Sequence, residues 1–238
     1  GDVVMGIDHH HFETAFDHIK KRYKISRDTE LETGGLAELL EAYKAIYKKH
    51  TRKPFPQDPS QQLQLAIEAV FRSWNIPRAI TYRRINAIQG LLGTAVNVQS
   101  MVFGNMGDDS GTGVAFTRDP ATGQNRFYGE FLINAQGEDV VAGIRTPLPV
   151  MEMKQWRPGI YRQLLQVKRT LEAHYLDMQD IEFTIERGKL FILQTRTGKR
   201  TGQSAVKIAV DMVREKKISR KTALLRVPAN DLNQLMLH

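Results

Sequence analysis

The sequence predicts an α+β fold, with helices at the front, a mainly antiparallel sheet in the middle and helices at the exit. Three observations carry this. Residues 1–77 set apolar side chains at helical spacing, residues 78–150 change to short apolar runs cut by glycine turns, and residues 180–196 alternate polar and apolar about a tight turn. The matching organisation is a helical segment 1–77, a sheet-bearing segment 78–200 and a helical exit segment 201–238.

In the front segment Leu36, Leu39, Leu40, Tyr43, Ile46 and Tyr47 mark one helical face. Another helix begins at Asp58, a side-chain acceptor for a first turn opened by Pro59, and continues through Leu63, Ile67, Val70 and Phe71. Pro54 and Pro56 keep the stretch between them extended. Further on, TAVNVQSMVFG, TGVAFTRDPATG, FYGEFLIN and EDVVAGIRTP read as strands and hairpin loops. A long amphipathic helix over 153–175 follows, carrying Tyr161, Leu164, Leu165, Leu171 and Tyr175, and helices near 203–216 and 219–226 close the chain.

Composition narrows the function classes. With 41% hydrophobic and 25% charged residues the chain has the make-up of an ordinary globular protein. No apolar run nears the roughly 18 residues that span a bilayer, and no basic-then-apolar leader opens the chain. The absence of cysteine removes disulfides, thiolate metal sites and thiol catalysis, and fits a cytoplasmic location. A net charge of +8 points to anionic partners, but no aromatic-interleaved basic stripe marks a nucleic-acid binder. The opening Gly1-Asp2-Val3-Val4-Met5 reads as the inside of a longer polypeptide.

The hairpin DIEFTIERGKLFILQTR raises the chemical question. A three-residue loop Glu186-Arg187-Gly188, closed by a left-handed Gly188, pairs even-numbered residues and gathers Asp180, Glu182, Gln194 and Arg196 on one face. Carboxylate and amide oxygens are the hard ligands that Mg²⁺ prefers, and a guanidinium grips phosphate. The same alternation also describes the wet face of any half-buried hairpin, with Asp180 and Arg196 as a plain cross-strand pair. Elsewhere, Gly107–Gly113 is either a loop whose N–H groups close over phosphates or a hairpin connection; it does not match the GxxxxGK[ST] loop. Gln99–Phe103 is either a strand offering hydrogen bonds to a purine or a core strand. His9, His10 and His11 read as a solvated run, since three consecutive histidines cannot face one ion. Arg72, Arg78, Arg83 and Arg84 crowd Trp74 and either pair with acids across an interface or offer one guanidinium to a phosphate, the structural reading being preferred.

Longer stretches are diagnostic. FRSW…PRAITYRR, GTAVNVQSMVFGN, SGTGVAFTRDPATG, GEFLINAQGEDVVAGIRTP and DMQDIEFTIERGKLFILQTRTGKRT together resemble the pyruvate, phosphate dikinase family, in order and nearly end to end. The resemblance implies an ATP-grasp nucleotide-binding domain, present here in part, within an enzyme that converts ATP, phosphate and pyruvate into AMP, pyrophosphate and phosphoenolpyruvate. It implies Mg²⁺ on Glu182 and Gln194, with Asp180 alongside, and Arg196 on the terminal phosphates. Gln99, Met101 and Val102 would line the adenine pocket, and Ser110, Gly111, Thr112 and Gly113 would cover the phosphates. Glu138 and Asp139 would border the nucleotide or a phosphohistidine-bearing swivelling domain of the same polypeptide. The family's phosphate-gripping lysine and arginine segment would precede Gly1, and no GGxTSHA-like phosphohistidine motif occurs, so weak or undetectable ATP binding is expected of this chain alone. The parent is expected to be a cytoplasmic homodimer that binds neither nucleic acid nor membrane. Pyruvate, water dikinase and a silent nucleotide-binding module are the alternatives.

Overall fold

The computed structural model describes residues 1–142 and 145–229, in two units, Gly1–Gln99 and Ser100–His238. In the first unit, Asp8 accepts a hydrogen bond from the His10 amide at 3.0 Å and starts helix α1 (His9–Tyr23), which makes the three histidines a solvated first turn. Helix α2 (Thr33–Thr51) packs on it through Ile19, Leu31 and Leu39, flanked by Phe16, Ile25 and Tyr43. Helix α3 (Pro59–Ser73) starts as its sequence dictates: Asp58 accepts from the Ser60 amide at 3.0 Å, and Pro59 fills the first turn. Helix α4 (Pro77–Ile85) occupies a region expected to turn to strands. Within it Arg83 stacks on Trp74 at 3.8 Å and donates to the Trp74 carbonyl at 2.7 Å, while Arg72 pairs with Glu68 at 3.2 Å.

The second unit is built on a five-stranded, wholly antiparallel sheet in the order β3-β2-β1-β4-β5. Its strands are β1 (Gly111–Phe116), β2 (Tyr128–Ile133), β3 (Leu148–Pro149), β4 (Gln179–Glu186) and β5 (Lys189–Thr197). Alternation sends Ala115, Phe131, Ile181, Phe183 and Ile185 to one face, where they meet Ile160, Tyr161 and Leu164. Those three residues lie on α7 (Pro158–Tyr175), and Trp156 stacks on Phe131 at 5.4 Å. On the other face Phe116 joins Met178, Ile208 and Met212, the last two from α8 (Gly202–Arg214). The helices and antiparallel sheet agree with the expected α+β class.

Three local expectations are corrected. The stretch TAVNVQSMVFG joins no ladder among the described residues, because alternation alone cannot supply a pairing partner. Gly137–Ala142 is helix α5 and not strand; Asp139 accepts from the Gln136 amide at 2.7 Å and caps its first turn. The helix expected over 153–175 breaks into α6 (Met153–Trp156) and α7, because Pro158 has no N–H to continue the first and suits the start of the second. The closing helices α8 and α9 (Arg220–Arg226) lie where expected.

A buried ionic network was not foreseen. Arg118 has no exposed surface and makes paired hydrogen bonds to Glu172 on α7 (2.9 and 3.0 Å) and to Glu215 after α8 (2.9 and 2.7 Å). Lys217 completes it, 2.9 Å from Glu172 and 2.8 Å from Glu215.

Candidate functional site

The hairpin reaches the expected face by an unexpected route. Glu186 pairs with Lys189, so the turn has two residues, Arg187 (φ +49°) and Gly188 (φ +75°), both with positive φ as a tight right-twisted hairpin demands. The three-residue loop is therefore wrong. Left alone, a two-residue turn would set Leu193 opposite Glu182. The ladder instead slips after Phe183↔Ile192: Glu182 pairs with Gln194 and Asp180 with Arg196, leaving Leu193 as the extra residue of a β-bulge. The bulge restores the pairing that the turn would have lost.

On that face Arg196 Nε donates to Asp180 Oδ2 at 2.7 Å, and its Nη2 lies 3.6 Å from Glu182 Oε1. The hydrogen bond to Asp180, helped by that carboxylate's charge, raises the guanidinium pKa above its ordinary value. Exposure divides the labour. The Asp180 side chain is 10% exposed, Glu182 38% and Arg196 60%, so Asp180 anchors the arginine from below while Glu182 and the exposed Gln194 face solvent. Two hard oxygen-bearing side chains at directly opposed positions suit a divalent cation that takes its other ligands from phosphate and water. Among the described residues no group of three or more His, Asp or Glu side chains is arranged to hold a metal ion.

The neighbouring expectations fare differently. Gly111, Thr112 and Gly113 are not a loop: they lie in β1, paired on both sides. Thr112 donates to the Phe183 carbonyl at 3.2 Å, with its hydroxyl 3.2 Å from that of Thr184, on the same face as Glu182. Ser110 is buried; its Oγ accepts from the Arg187 amide at 2.9 Å and lies 3.2 Å from Asp109. The loop proper is 104–109. Met101 is 75% exposed and Val102 half-buried, outside any helix or strand, while Gln99 closes the other unit. Asp139 is committed to its helix cap, and the Glu138 side chain lies outside the described residues. Thus the fold gathers Asp180, Glu182, Gln194 and Arg196, with Thr112 and Thr184 one step along the sheet. Thr184 was overlooked, although alternation from Glu182 marks it.

The architecture is that of a mixed domain, helices around an antiparallel five-stranded sheet, with a carboxylate, amide and guanidinium cluster on one hairpin. The family described as "Pyruvate phosphate dikinase, AMP/ATP-binding domain" matches residues 14–163 and 159–217, and the chain belongs to it. Over 236 residues, 99% of this chain, it is 56% identical to pyruvate, phosphate dikinase 1, chloroplastic, of Arabidopsis thaliana and to pyruvate, phosphate dikinase 2 of Zea mays. It is 53% identical over the same length to pyruvate, phosphate dikinase of Clostridium symbiosum. The matched region is 24%, 27% and 27% of these proteins, so the chain spans about a quarter of the relatives' length. The resemblance read from the sequence is correct. No described helix is long and apolar enough to cross a membrane.

Proposed function

We propose that this chain supplies the nucleotide-phosphate face of an ATP-grasp domain in a pyruvate, phosphate dikinase. The convergence of Glu182, Gln194, Asp180 and Arg196 on one hairpin face carries the reading. Glu182 and Gln194 are the residues that would hold Mg²⁺. Bound there, the cation neutralises charge between phosphates. Arg196, oriented by Asp180 and with Nη2 3.6 Å from Glu182, would offer its Nη groups to the outer phosphates. Met101 and Val102 contact the base, and Ser110–Gly113 support the phosphate side through β1. The parent converts ATP, phosphate and pyruvate into AMP, pyrophosphate and phosphoenolpyruvate through a histidine on a swivelling domain, for which Glu138 and Asp139 border the docking side. These 238 residues contain no such histidine motif and make up one part of that cycle, in the three-part division 1–77, 78–200 and 201–238. We further propose a homodimeric parent that does not bind nucleic acid, cytoplasmic or, as in the relatives named chloroplastic, plastid-borne.

Half a phosphate clamp binds weakly, because positioning from one side leaves the polyphosphate free to move. MgATP is therefore expected to bind the chain in the millimolar range and to shift amide resonances over 180–196. Glu182→Ala and Gln194→Ala should each weaken it by roughly tenfold, the worth of a lost charge-assisted contact. A micromolar affinity by calorimetry would refute the weak-binding expectation. Shifts confined to other residues, or variants that bind like the unaltered chain, would remove the site.

A further inference from the structure

The tip of the β4–β5 hairpin makes three hydrogen bonds that the proposed chemistry does not use. Glu186 Oε2 accepts from the backbone N–H of Phe103 at 2.7 Å, across 83 residues of sequence. The Arg187 N–H donates to Ser110 Oγ at 2.9 Å, and the Gly188 N–H to the Asp109 carbonyl at 2.9 Å. The chain entering the sheet is thus tied to the hairpin at both ends of the 104–109 loop. Its other side is fixed at Gly104, whose carbonyl accepts from the Ala135 amide at 2.9 Å. There the backbones approach so closely that an added Cβ would lie 2.3 Å from the Ala135 oxygen.

This arrangement matters because of direction. Glu182, Thr184 and Glu186 share one face of β4. Four residues of strand put Glu186 about 13 Å from Glu182, a reach comparable with that of an extended nucleotide from its outer phosphates to its base. One end of this row holds the carboxylate of the phosphate site. The other holds a carboxylate spent on a backbone amide of segment 101–103, which joins no ladder among the described residues. That segment carries Met101, 75% exposed, and Val102.

We infer that Glu186 is a positioning residue for the purine: by holding the Phe103 amide it fixes the 101–103 segment at a set distance from the phosphate site, so that one rigid strand measures the nucleotide. This deepens the nucleotide reading above and rests on it. The step is binding only; no bond is made or broken.

The test separates base from phosphates. The 238-residue chain and its Glu186→Ala and Glu186→Gln variants are titrated with MgATP and with magnesium tripolyphosphate, following the amide resonances of 101–103 and 180–196. Glu186→Ala is expected to weaken MgATP by roughly tenfold, the cost of a lost hydrogen bond to a charged group. Tripolyphosphate affinity should stay within a factor of about two. Glu186→Gln keeps an acceptor oxygen and should restore most of the ATP affinity. Equal weakening of both ligands would make Glu186 a merely structural residue, and no weakening of either would remove its role; both outcomes overturn the inference and leave the phosphate site standing. If the unaltered chain shows no response over 180–196 to either ligand, the nucleotide reading falls and the inference with it.

Discussion

Arg118→Ala is expected to destabilise the second unit by about 3–5 kcal/mol, the usual consequence of stripping one partner from a buried ion pair. Burial opposes the charge on Arg118, but hydrogen bonds to Glu215 and Glu172 more than compensate and raise its pKa. Without it Glu172, 3% exposed, is left facing Lys217 alone in a space shaped for a guanidinium. Arg118 follows the end of β1, Glu172 lies on α7 and Glu215 follows α8, so the loss loosens the sheet from two helices at once. Urea denaturation followed by far-ultraviolet dichroism measures it. The double variant Arg118→Met/Glu172→Leu should recover much of the loss, because removing both charges also removes their desolvation cost. A loss below about 1 kcal/mol in Arg118→Ala would mean that water reaches the carboxylates and the network is no more than a surface pair.

The same network sets an acid limb. Hydrogen bonding from Arg118, in the first place, holds the Glu215 pKa down to about 2. A carboxylate whose folded pKa lies below its unfolded value of about 4.3 contributes stability that is complete above the unfolded value. That contribution drains away as the pH falls toward 2. Glu172, raised by burial but lowered further by Arg118 and Lys217, acts in the same direction. The urea midpoint of the unaltered chain should therefore fall more between about pH 5 and pH 3 than that of Arg118→Ala. Parallel pH profiles would show that neither carboxylate depends on the arginine.

Why the sequence foretold the hairpin face but not this network is a matter of range. Asp180, Glu182, Gln194 and Arg196 lie within one supersecondary unit, where period-2 alternation and a short turn decide which residues meet. Even there the turn type was misjudged, since an arginine at φ +49° is not the residue that a tight turn asks for, and the bulge at Leu193 that compensates for it leaves no composition signal. Arg118 meets partners 54 and 97 positions away, and a single arginine after an apolar strand does not announce them. Residues 94–103 failed for a related reason. Their β-prone pattern is real, but a strand exists only where a second backbone completes the ladder, and pattern carries no information about that partner. Val140 and Val141 look like strand residues, but Gly137–Ala142 is helical, and the Asp139 carboxylate three residues on accepts from the Gln136 amide at its start.

Phe183→Ala is the second large effect, about 3–5 kcal/mol for emptying a site with no exposure at the centre of the main core. Its ring has a specific tenant opposite. Phe183 pairs with Gly113 of β1, and a Cβ on that glycine would lie 2.7 Å from Phe183 Cζ and 2.5 Å from the Glu130 carbonyl oxygen. The same Cβ would lie 2.8 Å from Phe131 Cβ, so the glycine admits the neighbouring β2 backbone as well as the ring, and Gly113→Ala alone should cost about 1–3 kcal/mol by overpacking. With both changes the ring clash disappears while the Glu130 contact persists, and the double variant should be more stable than the sum of the single losses by about 0.5–3 kcal/mol. Additivity within about 0.5 kcal/mol would show that the strands part easily and that ring and glycine are not matched. The effect should also reach the opposite face. The Phe183 carbonyl accepts the Thr112 hydroxyl, and the ladder slips between Phe183 and Glu182. A hole under Phe183 removes the support on which the bulge rests, so the amide resonances of Glu182 and Gln194 should broaden in Phe183→Ala before the unit as a whole unfolds.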